Sequence, residues 1–165
     1  MHRILISRCL LGEKVRYDGG AKRLQNPLLE KWQQQQRLIP ICPEMAGGLG
    51  CPRPAAEIIG GNGRLVLSGH TQVRHHDHSD ISAAFIQGAQ AALALCKQHS
   101  IRFALLKARS PSCGNQGGYD GRFENRFLDD GIGVTAALLS QHGIQIFDET
   151  QLETLAIALA ETAIA

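Results

Sequence analysis

Ala104-Leu-Leu-Lys-Ala-Arg-Ser-Pro-Ser-Cys-Gly114 decides how the chain is read. It continues an apolar run that starts at Ile101 and ends at Leu106, short enough for a strand covered on both faces. The character then changes. Lys107 and Arg109 bring positive charge, Pro111 interrupts regular structure, and Gly114 frees the backbone around Cys113. A cysteine just past the carboxyl end of a buried strand stands where open α/β sheets bind ligands.

Two other stretches share this layout. The apolar run Arg3–Ser7 leads into Cys9-Leu-Leu-Gly12, and Leu38–Ile41 leads into Cys42-Pro-Glu44. Pro40 inside the second run makes it an imperfect strand. Asn26-Pro27 begins a helix that runs to about residue 36, with Asn26 as its cap. Residues 46–56 read as a long irregular loop. Residues 57–68 read as two strands around a hairpin at Gly60-Gly-Asn-Gly63. Apolar spacing predicts a long helix over residues 80–98 with Ser79 as its cap, and Cys96 falls on its apolar face. A Gly-, Asp- and Asn-rich segment over residues 115–130 is expected to fold over the site. A helix over residues 133–141, a strand over 144–147 and a helix over 150–163 complete the chain. Strands alternate with helices, which predicts one α/β domain over residues 1–165 with a mainly parallel sheet flanked by helices.

Composition bounds the function. The chain has 165 residues, 44% of them hydrophobic, and a formal net charge of +2. That charge gives no general surface for nucleic acid. No apolar run is long enough to span a membrane. The N-terminus enters a strand directly without a leader-peptide pattern, so the expected location is the cytoplasm. There the five cysteines are expected as thiols or metal ligands and not as disulfides.

In a parallel sheet the carboxyl ends of all strands share one edge. Cys9, Cys42 and Cys113 can therefore converge. Three thiolates suit a soft metal: an iron–sulfur cluster with one open iron, or zinc with one open position. Small thiols lining buried loops are the plain alternative. Cys96 reads as core, and Cys51, in the loop of Cys42, stays open between a plain loop thiol and a spare ligand. The histidines at 70, 75, 76 and 78 lack ligand spacing and read as a solvated loop.

Five motifs carry a resemblance. Ser7-Arg-Cys-Leu-Leu-Gly12 with Arg16-Tyr-Asp-Gly19, Cys42-Pro-Glu44 with Gly48-Leu49 and Pro52-Arg-Pro54, Lys107 to Gly114, Tyr119-Asp-Gly121, and Gly133-Val-Thr-Ala136 resemble the DUF523 family, which includes the thiouracil desulfidases. The resemblance spans nearly the whole chain. It implies a 4Fe-4S cluster held by Cys9, Cys42 and Cys113 with one iron open to substrate. It also implies removal of sulfur from a thiolated pyrimidine as hydrosulfide, with water supplying the oxygen and no net redox change. Glu44 beside the second ligand is a candidate general base, and Ser112 a second candidate catalytic residue. Arg16, Arg53, Lys107, Arg109 and Ser110 are candidate substrate-binding residues, and their charge suits a nucleotide phosphate. The implied partner is a small thiolated pyrimidine, with 4-thiouridine monophosphate ahead of thiouracil and no stable nucleic-acid complex. A zinc nucleobase hydrolase is the enzymatic alternative, although the H-x-E and P-C-x-x-C pair of zinc deaminases is absent. A non-enzymatic cluster- or sulfide-binding protein is the other.

Overall fold

The computed structural model describes residues 1–164. Its frame begins with β1 (Ile4–Ser7), whose four residues are all buried. A 3-10 turn over Arg8–Leu11 follows, and Gly12 ends it at φ 90°, a backbone state that favours glycine. Asn26 accepts a hydrogen bond from the Leu28 N–H at 2.9 Å and starts α1 (Pro27–Gln34). The chain returns as β2 (Leu38–Ile41) and turns at once into α2 (Pro43–Ala46). Then come β3 (Ala56–Ile58), α3 (Gly63–Leu67) and β4 (Val73–His75). After α4 (Ser82–Gln98) and β5 (Phe103–Leu105), the chain makes a small hairpin of β6 (Gly118–Tyr119) and β7 (Phe127–Leu128). It ends with α5 (Val134–Gln141), β8 (Gln145–Phe147) and α6 (Leu152–Ile164).

Four strands form one parallel sheet in the order β2-β1-β5-β8. Pro40 is tolerated because β2 lies at an edge. Side chains alternate between the faces. Leu5 and Ala104 pack with Ala92, Leu93 and Leu139 of α4 and α5. Ile4, Ile6, Phe103 and Leu105 pack with Trp32 of α1 and Leu155 of α6. Each fully buried Leu or Ile contributes about 1.5–3 kcal/mol, so the central strands anchor the fold.

Two local expectations are corrected. Gly60-Gly-Asn-Gly63 is no hairpin turn. Asn62 accepts from the Arg64 N–H at 2.9 Å and caps α3, and β3 pairs antiparallel with β4 instead. α2 precedes the expected irregular stretch, and residues 47–55 hold no helix or strand. Ser79 does not cap α4. It bonds to Asp77, while the Asp80 carboxylate accepts from the Ser82 N–H at 2.9 Å. Among the described residues no helix is long and apolar enough to cross a membrane.

Candidate metal centre and active site

β1, β2 and β5 are neighbours, and the loops leaving them carry Cys9, Cys42 and Cys113. All three thiols line one cavity of about 340 Å³. Cys9 and Cys113 are buried, and Cys42 is half-buried. Burial pushes the Cys9 thiol up to about 11, against the pull of Lys107 and Arg16. Burial pushes Cys113 up to about 12, against a hydrogen bond from Ser7. A metal bound here must displace these protons. Among the described residues, no three His, Cys, Asp or Glu side chains close around a point that one ion would fill. A cluster makes no such demand, because each iron takes its own cysteine. Soft thiols with lysine and arginine nearby fit that group.

The Cys113 loop is docked on the start of α5. The Pro111 carbonyl accepts from the Val134 N–H at 2.9 Å, and the Ser112 carbonyl from the Thr135 N–H at 2.8 Å. These contacts satisfy N–H groups that a helix start leaves open. Gly133 is required there, since a β-carbon would collide with the Ser112 backbone. The Ser110 hydroxyl accepts from the Ser112 N–H at 3.1 Å and the Cys113 N–H at 3.2 Å, and Ser110 still lines the cavity. Ser112 does not line it. Its buried hydroxyl is 2.7 Å from Thr135 Oγ1, away from the cavity where a catalytic role was expected.

Around the thiols, Ser7 donates to Cys113 Sγ at 3.5 Å and accepts from the Lys107 N–H at 2.9 Å. Lys107 Nζ reaches Glu149 Oε1 at 2.6 Å, and the Ala108 N–H donates to Glu149 Oε2 at 2.8 Å. The Arg109 guanidinium lies 4.8 Å from the centre of the Phe127 ring, on a backbone with φ 66°. Arg16 meets Asp18 only at 4.0 Å. Glu44 lines the cavity, and its Oε2 accepts from Arg53 Nε and Nη2, both at 2.6 Å.

The sequence model of the 2-thiouracil desulfurase family matches residues 4–151. The chain belongs to this family. A curated relative, the uncharacterized protein YbbK of Bacillus subtilis strain 168, is 36% identical over 152 residues, covering 92% of this chain and 99% of the relative. A solved structure, the 4Fe-4S-dependent thiouracil desulfidase TudS (DUF523Vcz), is 45% identical with a TM-score of 0.89. The match covers 97% of this chain and 99% of that one.

In this 2-thiouracil desulfurase family member, the other cysteines stand apart from the cavity. Cys51 donates to the carbonyls of Lys14 at 3.2 Å and Arg16 at 3.3 Å, and Cys96 is buried on α4. None of the histidines lines the cavity. His75 lies in β4 and His76 packs edge-on against Phe123. Sequence reasoning missed Ser7, Tyr17, Glu57 and Tyr119, which do line it. The tyrosines had a signal, since each opens a Tyr-Asp-Gly triplet. In both triplets the Asp accepts from the N–H two residues on, and the Gly takes positive φ. The same turn thus brings a tyrosine to the cavity twice. Burial pushes the Glu57 carboxyl up, against hydrogen bonds from the backbone of Gly121 and Phe123.

Proposed function

We propose that this chain is a cluster-dependent desulfidase of thiolated pyrimidines. The observation that carries the reading is the meeting of Cys9, Cys42 and Cys113, from three adjacent strand ends, in one cavity that also holds Glu44. The family and the 4Fe-4S dependence of TudS support it. When bound by the three cysteines, a 4Fe-4S cluster would supply one open iron as a Lewis acid and acceptor for the substrate sulfur.

The protein supplies the rest. Glu44 takes a proton from water, and the water oxygen bonds to the ring carbon that carried sulfur. The C–S bond breaks and sulfur departs as hydrosulfide, so water and thiocarbonyl become carbonyl, hydrosulfide and a proton with no change of oxidation state. Arg16, which meets Asp18 only at 4.0 Å, and Arg109, which has no carboxylate partner among the described residues, bind an anionic substituent such as the phosphate of 4-thiouridine monophosphate. Ser110 offers a hydroxyl at the cavity wall. Lys107, held by Glu149, balances the negative charge of the thiolates and of hydrosulfide.

The test is anaerobic reconstitution with iron and sulfide, followed by assay on 4-thiouridine monophosphate and on thiouracil. The wild type and Cys51→Ala are expected to bind iron and release hydrosulfide. Cys9→Ala, Cys42→Ala and Cys113→Ala are expected to lose both. A wild type that binds no iron, or binds it without releasing hydrosulfide from either compound, overturns the reading.

A further inference from the structure

We infer that Arg53 is a positioning residue that fixes the Glu44 carboxylate and the cavity wall at Arg16 and Tyr17, and is not a ligand for the substrate. The inference rests on the desulfidase reading and replaces the expectation that Arg53 binds substrate. A guanidinium has five N–H groups. Nε and Nη2 each donate one to Glu44 Oε2, at 2.6 Å. Nη1 donates to the carbonyls of Val15 at 3.1 Å and Gly50 at 3.0 Å. Four of the five are therefore committed to the protein. The side chain is only 6% exposed, so a substrate anion could take the usual two-pronged grip only by displacing Glu44.

These contacts join segments that the sheet alone leaves independent. Glu44 follows the cysteine loop of β2, and Val15 lies in the long loop that follows β1. The Arg53 N–H also donates to the Tyr17 carbonyl at 2.7 Å. Cys51, two residues earlier, donates to the carbonyls of Lys14 and Arg16. Residues 51–53 thus lace the backbone of residues 14–17 from one side, and Arg53 carries the lacing on to Glu44. A lysine keeps the charge but offers a single point, so it cannot hold Glu44 and two carbonyls at once. The free Oε1 of Glu44 is left for water.

The experiment uses cluster-loaded Arg53→Lys, Glu44→Gln and the double variant, each assayed with 4-thiouridine monophosphate and with thiouracil. For Arg53→Lys, kcat is expected to fall about 100-fold on both compounds, as for a misplaced catalytic group. The ratio of kcat/KM for the nucleotide to that for the free base should stay within about two-fold of wild type, and the double variant should be no slower than Glu44→Gln alone. A tenfold drop in that ratio, or an unchanged kcat, overturns the inference. Thermal unfolding of the same proteins provides a reading without turnover. The loss of Tm in the double variant should be smaller than the sum of the two single losses, and additive losses overturn the clamp. If the wild type turns over neither compound, the desulfidase reading falls, while the unfolding data still decide whether Arg53 holds Glu44.

Discussion

Ser7 shows how one hydroxyl can organise the cavity floor. It is buried at the end of β1, accepts from the Lys107 N–H and donates to Cys113 Sγ. Removing it leaves the half-buried Lys107 N–H without its partner. An orphaned donor of this kind costs about 1–3 kcal/mol. Ser7→Ala is expected to lose that much in urea unfolding at unchanged m-value, and a loss below about 0.5 kcal/mol would show that the bond contributes little. Ser7 opens one of the quoted motifs, but a serine at a strand end is ordinary and nothing in the sequence gives it a role in the site. Glu149 was equally invisible, since its bond to Lys107 crosses 41 residues to Ala108 and one more to the lysine itself. The cysteines were legible for the opposite reason. Each lies in the loop that leaves a strand its own apolar run marks, so their meeting follows from topology.

At the scale of elements, the placement of α2 depends on two glycines. A β-carbon on Gly88 of α4 would sit on the Pro43 carbonyl, and one on Gly47 would sit on the Ala84 carbonyl. In an exposed helix interior, replacing Gly by Ala gains about 1 kcal/mol. Here the sign should reverse, because α2 must move and it carries Glu44 next to Cys42. Gly88→Ala is expected to lose about 1–3 kcal/mol, as overpacking does, and to retain less iron after reconstitution. A more stable variant with full iron content would mean that α2 yields freely. About two turns along α4 from Gly88, Cys96 gives a second prediction. Burial pushes its thiol from the ordinary 9.0 up to about 11. The ionised thiol is disfavoured in the fold, so the contribution is complete below pH 9 and is lost as pH rises toward 11. The stability advantage of wild type over Cys96→Ala should therefore shrink across that window in urea titrations, and a constant gap would contradict the burial argument. Element type was legible in α4 because its apolar period is long. It was misread at residues 57–68, where the Gly-Gly-Asn-Gly pattern satisfies a hairpin and a helix start equally. The choice was made by β4, which offered β3 a partner beyond the local window.

For the whole molecule, the parallel order β2-β1-β5-β8 sends three loops from distant parts of the chain to one edge. The unfolded chain has no reason to bring Cys9, Cys42 and Cys113 together, so a group held by all three binds the folded state and not the unfolded one. Such binding adds about 2.7 kcal/mol at a hundred times the dissociation constant. In a chain of this size that raises Tm by roughly 5–11 °C. Anaerobically loaded protein is therefore expected to melt that much higher than the same protein stripped with a chelator. Cys9→Ala should show no such rise, because one strand end is no longer tied to the others. Cys51→Ala should keep it, since Cys51 spends its thiol on the carbonyls of Lys14 and Arg16, outside the cavity. Calorimetry on the loaded and stripped forms of all three proteins decides between a cluster that bridges the sheet edge and one held elsewhere. If Cys51→Ala loses the rise while Cys9→Ala keeps it, the ligand set proposed from the cavity is wrong.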